Sequence, residues 1–473
     1  MTSSQRFAPA ALVAALALAG CASFDGSKPQ SQVRDANTLA AARTLESNAA
    51  AAQWPVDGWW KRFNDPQLDA LIDEATRGSP ALAAAQARVR RADALARIAG
   101  AATQPRVDAN VGITEQLFSK NSIYPPPFAG SWDTQNQATL DFSYEFDFWG
   151  RNRANLRATL GEAKAAQVDA EAARLMLSVA IALEYVELKR DYAQLDVEQA
   201  TLEQRGKLHE LTAQRFSAGL DSKVDLKQAE TAIPQSRERI ARIEESIAIS
   251  RNRLAALVGA GPDRGLEIHR PVAQEVAAGL PAKLPADLIG RRPDVVAQRL
   301  RVEAASASID AATAAFYPNV SLAAFVGFQS IGLNKFIQSG SQIAGVGPAL
   351  SLPIFEGGRL RGNLAARNAD YDIAVEQYNE TLVQALQEVA NQLASIRALD
   401  TRRRESSAAL ASSQEAYDLA VLRYREGLGN YLQVLTAETQ VLIQKSLAAD
   451  LDARGLELAV NLVRALGGGY QGA

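Results

Sequence analysis

The sequence GRNRANLRA at residues 150–158 returns as GRLRGNLAA at residues 358–366, with six of the nine positions identical. The same offset of 208 residues aligns Arg215–Leu220 with Arg423–Leu428 and Ala229–Thr231 with Ala437–Thr439. Self-similarity at a fixed spacing is typical of duplicated architectures. We therefore predict two consecutive copies of one unit. Each copy contains a helix, two strands, a very long helix, a turn and a further helix.

The very long helices follow from the absence of helix-breaking residues. No proline occurs between Gly150 and Gly219, or between Gly358 and Gly427. At 1.5 Å per residue, a helix of about 65 residues extends about 100 Å. Two seams of apolar residues with heptad-like spacing predict a packing neighbour on each side, as in a wall or tube of helices, with a thick helical bundle as the alternative. The seams are Val168, Ala172, Leu175, Val179, Ala182 and Val186, and Ile181, Tyr185, Leu188, Tyr192 and Leu195.

Four alternating segments predict strands. The clearest is Thr139–Phe148, in which apolar and polar residues alternate over the length of a tilted membrane-spanning strand. Weaker alternation marks residues 107–114, 320–328 and 343–354. A soluble sheet with one face on a core is the alternative. Because unpaired strand edges are costly in lipid, four strands need further copies to close a barrel. Two copies would give eight strands and three would give twelve, and the polar faces favour the larger, water-filled barrel.

The composition argues against catalysis and nucleic-acid binding. The formal net charge of the 473-residue chain is −3, so it gives no sign of a basic nucleic-acid surface. Two histidines and one cysteine are too few for a zinc or haem centre. No nucleophile-elbow, phosphate-loop or metalloprotease motif occurs. We predict a protein that is not an enzyme and has no catalytic residue, cofactor or metal.

The N-terminus predicts a lipid anchor. A short apolar run after Arg6 ends in Leu18-Ala19-Gly20-Cys21, which resembles the bacterial lipobox. The lone cysteine of the chain stands at the position that would be acylated, and Ala22 after it favours sorting to the outer membrane. The alternative is a stray cysteine at the end of a secretory signal. Beyond residue 21 no run of 18 apolar residues predicts a membrane-spanning helix.

Several motifs together resemble the outer membrane factor (TolC-like) family, in its lipoprotein efflux (OprM/NodT-like) branch. They cover nearly the whole chain after the signal sequence. The motifs are Gly58-Trp59-Trp60 with Phe63-Asn64-Asp65-Pro66-Gln67-Leu68, Tyr144-Glu145-Phe146-Asp147-Phe148-Trp149-Gly150-Arg151, Leu284-Pro285-Ala286-Asp287-Leu288 with Arg291-Arg292-Pro293-Asp294, Phe316-Tyr317-Pro318, Pro353-Ile354-Phe355-Glu356-Gly357-Gly358, Arg423-Tyr424 with Gly427 and Tyr431-Leu432, and Ala465-Leu466-Gly467-Gly468-Gly469.

The resemblance implies a mainly helical homotrimer with membrane β-structure. Coiled-coil helices would form a periplasmic α-barrel continuous with a 12-stranded outer-membrane β-barrel, to which each chain gives four strands. The protein would sit in outer-membrane lipid, anchored on the periplasmic side and extending into the periplasm. It would dock to a periplasmic adaptor (membrane fusion) protein and an inner-membrane RND transporter. Its function would be that of a passive conduit exporting drugs or other small molecules.

On this basis the chain divides into ten segments. They are a lipoprotein signal peptide (1–20), a lipidated extended segment (21–60), the helices of the first repeat (61–105), the first β-hairpin (106–149), the long helices of the first repeat (150–259), an equatorial connector (260–285), the helix of the second repeat (286–318), the second β-hairpin (319–355), the long helices of the second repeat (356–467) and a C-terminal tail (468–473).

The resemblance also places candidate site residues. Tyr424, Leu432 and Thr436 match positions that narrow the periplasmic aperture. The family often has an acidic residue where this chain has Thr436, and a basic one where it has Thr439, so we predict weak cation binding there. For Glu438, whose repeat mate is Glu230, packing or capping is expected. The residues predicted to meet an adaptor are Arg215, Gly219, Arg423 and Gly427, although the glycines also suit ordinary helix C-caps.

Two other functions remain open from sequence. One is the outer-membrane port of a type I protein secretion system, although such ports usually lack the lipobox. The other is a structural periplasmic lipoprotein without a pore. The sequence does not identify the exported substrate, the pump or the adaptor.

Overall fold

The computed structural model of the chain describes residues 28–45, 53–274 and 290–472. The signal peptide and Cys21 lie outside them, as do residues 275–285 of the predicted connector. The main helices are α1 (Pro66–Gly78), α2 (Pro80–Ala101), α3 (Arg151–Ser217), α4 (Lys223–Leu257), α5 (Pro293–Ala314), α6 (Arg359–Arg425) and α7 (Tyr431–Ala465). The strands are β1 (Arg106–Leu117), β2 (Trp132–Phe146), β3 (Asn319–Ile331) and β4 (Gln342–Ser351). Short helical turns occur at Ala36–Thr38, Ala42–Leu45, Trp59–Phe63, Asp263–Leu266, Leu333–Lys335 and Ser339–Ser341.

The duplication read from the sequence is present in the helices. Helices α2 and α5 both have 22 residues, α3 and α6 both have 67, and α4 and α7 both have 35. The repeats differ in the hairpins, where β2 has 15 residues and β4 has 10. The two very long helices predicted from the proline-free segments are thus confirmed as α3 and α6. Within the described residues, none of them is long and apolar enough to cross a membrane.

Side-chain caps fix where several helices begin. Asp65 accepts from the backbone N–H groups of Gln67 and Leu68, with Pro66 in the first turn of α1. Ser222 and Asp225 form a reciprocal capping box at the start of α4, and Asn430 caps α7 through the N–H of Gln433. Each cap satisfies backbone donors that have no partner inside the helix.

The chain divides into two compact units, and helices α2, α3, α5 and α6 contribute residues to both. The first unit contains described residues 28–33, 88–166 and 298–378. Its centre is an antiparallel sheet with the strand order β1-β2-β3-β4. Within the described chain β1 and β4 are therefore the edge strands.

The register of this sheet separates apolar from polar side chains. Val107 pairs with Phe142, which pairs with Ala324 and through it with Val346. Because side chains alternate along a strand, the rows two residues away put apolar side chains on the same face. They read Ala109, Leu140, Val326 and Ala344, then Tyr144, Leu322 and Pro348, then Phe146, Val320 and Leu350. The opposite face carries most of the polar side chains of β1 and β2.

The strand bounds differ from the predicted ones at several ends; β2, for example, ends at Phe146 instead of Phe148. Strand β2 begins at Trp132, seven residues before the predicted start at Thr139. The alternation does not show this part of the strand, because Gln135, Asn136 and Gln137 place polar groups on both faces. Strand β4 ends at Ser351 instead of near residue 354. Pro353 follows that end and has no N–H to donate to a neighbouring strand.

The second unit contains described residues 34–45, 53–87, 167–274, 290–297 and 379–472. Its largest core joins the tryptophan motif to the middle of α3. Tyr185 and Leu188, from one predicted seam, are fully buried with Phe63, Leu71 and Leu254. At an offset of 208 the same seam recurs in α6, where Val389 and Leu393 are also buried. Val179 and Val186 of the other predicted seam are buried in the same core, so both seams are packing surfaces.

Asp65 ties the connector to this core. Besides capping α1, its Oδ2 accepts hydrogen bonds from the Tyr185 hydroxyl and the Val272 N–H, both at 2.8 Å. Gln67 donates to the His269 carbonyl at 3.0 Å and accepts from the His269 N–H at 2.8 Å. Burial, together with the bond to Asp65, raises the pKa of Tyr185 well above its ordinary value. The Asn64-Asp65-Pro66-Gln67 motif thus holds the connector against α3.

Candidate functional site

The candidate site is the end of the second unit where two turns reverse the chain, α3 to α4 and α6 to α7. Gly219 has φ +74° and Gly427 has φ +77°. In both turns the leucine N–H after the glycine bonds back to an arginine carbonyl, Leu220 to Arg215 at 2.9 Å and Leu428 to Arg423 at 2.8 Å. The glycine N–H bonds to the carbonyl three residues back in each case, which completes a Schellman cap. Both leucines are exposed, at 66% and 70%.

Three side chains connect the two turns. Arg215 forms an ion pair with Asp221, with its Nε 3.1 Å from Oδ2, and both side chains are nearly buried. The Tyr424 hydroxyl donates to the same carboxylate and lies 2.9 Å from Oγ1 of Thr212. The Arg215 guanidinium stands 4.6 Å from the centroid of the Tyr424 ring, within cation–π range. Tyr424 therefore ties α6 to α3 and to the turn that precedes α4.

The electrostatics of this cluster favour a neutral tyrosine. Burial raises the pKa of Tyr424 to about 12, and the hydrogen bond to Asp221 adds to the effect. The hydrogen bonds to Asp221 also raise the pKa of Arg215. Together these groups form a donor–acceptor cluster that is complete while Tyr424 keeps its proton.

The predicted site residues fall into two groups. Tyr424 is fully buried in the tip cluster, whereas Leu432 is 58% exposed and Thr436 is exposed one turn further along α7. Oγ1 of Thr436 donates to the Leu432 carbonyl at 2.9 Å, so these two residues share one helix face. The two arginines also differ, because Arg423 is exposed and donates to the carbonyl of Leu428 in its own turn.

Sequence reasoning missed Asp221 and Thr212, which complete the tip cluster. Their signal lay in positions where the repeat is broken. At an offset of 208, Thr212 corresponds to Ala420 and Asp221 to Gly429, while Tyr424 corresponds to Phe216. Each of these three residues thus has a repeat mate that cannot make the same hydrogen bond, whereas Arg215 has an arginine, Arg423, at the matching position. The cluster exists in only one of the two possible copies.

A buried ion pair, also missed, lies nearby in the second unit. Glu438 bonds to Arg205, and Nη1 of Arg205 donates to the Ala232 carbonyl and to Oγ of Ser236. The packing role expected for Glu438 therefore takes the form of an ion pair. Its repeat mate Glu230 is instead a partly exposed surface residue paired with Lys227. Arg205 again breaks the repeat, because its mate is Ser413.

In the first unit, aromatic and charged side chains mark the junction between strands and long helices. Trp149 stacks on Tyr317 with ring centroids 4.5 Å apart, and its indole N–H donates to the Pro318 carbonyl at 2.9 Å. Arg151 bonds to both carboxylate oxygens of Glu145 at 2.8 and 2.9 Å. Phe355 is 90% exposed. Exposed aromatic residues close to the ends of strands are typical of a membrane–water interface.

Comparison with known proteins gives one consistent result. The profile of the family described as outer membrane efflux protein matches residues 71–260 and 284–468. The fusaric acid resistance protein FusA of Burkholderia cepacia is 41% identical over 364 residues, which cover 76% of this chain and 69% of that protein. The multidrug resistance outer membrane protein MdtP of Escherichia coli K12 is 32% identical over 434 residues, 89% of this chain and 88% of that protein. The crystal structure of the Vibrio cholerae outer membrane protein VceC is 40% identical and matches with a TM-score of 0.84, covering 88% of this chain and 100% of VceC.

Proposed function

The chain belongs to the outer membrane efflux protein family and is an outer-membrane efflux channel, and we propose that it works as the homotrimeric, passive conduit of a tripartite pump. A periplasmic adaptor and a proton-driven inner-membrane transporter of the RND type would complete that pump. The energy for export would be spent at the inner membrane.

One observation supports this proposal above the others: the four-stranded sheet has an apolar face, a largely polar face and two edge strands. In a membrane, the apolar side chains suit lipid and the polar ones suit a water-filled lumen. Strands β1 and β4 present unpaired backbone groups, which would cost several kcal/mol each in lipid. Pairing β4 of one copy with β1 of the next satisfies them. Three copies would give twelve strands around an aqueous pore.

The two Schellman turns form the surface that we assign to the adaptor. Each turn presents an exposed leucine beside its glycine, Leu220 beside Gly219 and Leu428 beside Gly427. A partner with small apolar residues at its own tip could pack against these two exposed leucines. Arg423 adds an exposed positive charge to one turn, whereas Arg215 is held by Asp221. The two turns would therefore bind the partner differently.

We assign the aperture to the exposed face of α7 that carries Leu432 and Thr436. Tyr424 would act from behind this face, because its bonds to Asp221 and Thr212 hold α6 against α3. Opening the aperture would require that cluster to separate.

Near the N-terminus, Cys21 would carry acyl chains that anchor the trimer in the outer membrane.

The proposal is tested on the purified full-length protein. We expect chemical cross-linking and native mass spectrometry in mild detergent to give three copies, and planar bilayers to show a conducting pore. Deletion of the gene should sensitise cells to drugs, and plasmid expression should restore resistance. A stable monomer, or a trimer that does not conduct, would contradict the proposal. Loss of a secreted protein with unchanged drug susceptibility would favour a type I secretion port.

For the anchor, Cys21→Ser should abolish incorporation of labelled palmitate, and Cys21→Ala serves as a second variant.

A further inference from the structure

One row of the sheet combines an acidic side chain with an aromatic one on the polar face. The register pairs Asp108 with Asp141, Asp141 with Phe325, and Phe325 with Gly345. Phe325 breaks the pattern of β3, because the other large apolar residues between Val320 and Phe328 lie on the opposite face. Its side chain is nonetheless substantially exposed, at 42% for the residue.

The Phe325 ring lies over the backbone of β4. A Cβ atom added at Gly345 would be 2.6 Å from Cε1 of the ring, which is closer than real contacts allow. The ring can therefore occupy this position because residue 345 is a glycine, which has no Cβ atom. Of its register neighbours on the same face, Ala323, Gly327 and Gly347 are also small, and Ile343 is the large one. The ring thus lies directly over Gly345 and remains substantially exposed.

Asp141 leans the other way, toward β1. Its Oδ2 accepts from Nδ2 of Asn110 and from Oγ1 of Thr139, both at 2.7 Å. Asp108 in the same row is neutralised by Arg106 at 2.6 Å. No cationic side chain of the described residues forms an ion pair with Asp141. A fixed carboxylate and an aromatic ring therefore border the strip between β2 and β3.

We propose that Asp141 and Phe325 form a contact site for organic cations that pass through the channel. This inference rests on the proposed function, since it requires the polar face to line a lumen. A carboxylate attracts an ammonium group, and the electron-rich face of an aromatic ring attracts the same charge while it covers apolar substituents. The pair suits an amphipathic cation better than an anion or a sugar. Three copies of the row would form a ring at one level of the pore, so the channel has a preference of its own in addition to that of the pump.

The test uses the purified full-length channel in planar bilayers at about 0.1 M salt, where screening is moderate. Benzyltrimethylammonium is the probe, and benzenesulfonate is the probe of opposite charge. We expect the cation to reduce the current at lower concentration than the anion. In Asp141→Asn and in Phe325→Leu, the half-blocking concentration of the cation should rise about fivefold, which is the size of one exposed cation–π or ion-pair contact. Phe325→Tyr keeps the ring and should keep the block.

Matched controls separate this effect from general disturbance of the sheet. Asp133→Asn repeats the Asp-to-Asn change on the same face of β2, near the beginning of that strand. Phe328→Leu repeats the Phe-to-Leu change on the apolar face of β3. Both should leave the block unchanged. If Asp141→Asn fails to insert, the pair Phe325→Leu and Phe325→Tyr decides alone. Equal block in wild type and variants, or equal shifts for cation and anion, would overturn the inference while the channel function stands. A wild-type protein that does not conduct would instead overturn the proposed function.

Discussion

Arg205 and Glu438 form a buried ion pair in which Nη2 of the arginine is 3.0 Å from Oε2 of the glutamate. The two side chains are only 6% and 2% exposed, and they join α3 to α7. Nε also donates to Glu438, and the third guanidinium nitrogen, Nη1, donates to the Ala232 carbonyl and to Oγ of Ser236 on α4. Three helices therefore meet at one guanidinium group. Removing one partner of such a pair leaves a charge that is buried without compensation.

We accordingly expect Glu438→Ala to lower the free energy of unfolding by about 3–5 kcal/mol. The measurement is thermal unfolding of the detergent-solubilised protein by circular dichroism, at matched protein concentration. Glu230→Ala is the matched control, because it removes the repeat mate from a partly exposed pair with Lys227. Such surface pairs contribute about 0–1 kcal/mol. Equal losses in the two variants would show that the buried pair has no special weight.

The sequence predicts those features that depend on local pattern. Unbroken helical periodicity locates α3 and α6, and alternation between Thr139 and Phe148 locates the core of β2. Contacts between segments about 200 residues apart carry no local signal. The bond from Tyr424 to Asp221 and the pair of Arg205 with Glu438 are of this kind. In a duplicated chain, however, such contacts can be found by comparing the repeats. A polar residue whose repeat mate is not polar, such as Asp221 with Gly429, marks a position where the two repeats make different contacts.

The tip cluster predicts alkaline sensitivity. Tyr424 has a pKa raised from 10.0 to about 12, so the folded state favours its protonated form. This contribution to stability is complete below about pH 10 and is lost as the pH rises through 12. Tyrosinate absorbance of the wild type minus that of Tyr424→Phe should show one group titrating near pH 12. Channel conductance should rise over the same interval in the wild type only, and should start higher in Tyr424→Phe.

Asp221→Asn provides the control for that titration. It removes the negative charge beside Tyr424 but leaves the ring buried, so the midpoint should fall while remaining above the ordinary value. A difference curve centred near pH 10 in the wild type would contradict the buried hydrogen bond. A conductance that is independent of pH would show that the tip cluster does not control opening of the channel.

The hydrogen bonds that Asp65 accepts from Tyr185 and Val272 predict a local effect on the connector. Asp65→Ala removes the cap of α1 and the acceptor for Tyr185 and Val272 together, so we expect a loss of roughly 2–4 kcal/mol. Limited proteolysis with mass spectrometry should show faster cleavage within residues 268–274. Asp73→Ala, at an exposed position of the same helix, should change stability by no more than about 0.5 kcal/mol. Unchanged cleavage in Asp65→Ala would mean that other contacts hold the connector.

Gly259 offers a sharp test of backbone packing. It has φ +85°, and an added Cβ would lie 2.5 Å from the carbonyl oxygen of Gly78. Gly259→Ala should therefore cost at least about 2 kcal/mol, from strain and overlap combined. Gly261→Ala, two residues on, has no atom within 4 Å of the new methyl group and no positive φ. It should be neutral or slightly stabilising, and comparable melting temperatures for the two variants would contradict the close approach to Gly78.

Thr436 predicts how the aperture responds to cations. Rings of carboxylates bind multivalent cations in pores, and a threonine at this exposed position of α7 supplies no charge. We expect wild-type currents to be little affected by a trivalent metal ion added on the periplasmic side. Thr436→Asp would place three carboxylates at one level of the trimer and should make the same ion block at concentrations at least about tenfold lower, because charge and geometry act together. Thr436→Asn, of nearly the same size but neutral, should behave as wild type. Strong block of the wild type would mean that another acidic group lines the aperture, and equal block in the Asp and Asn variants would place residue 436 outside it.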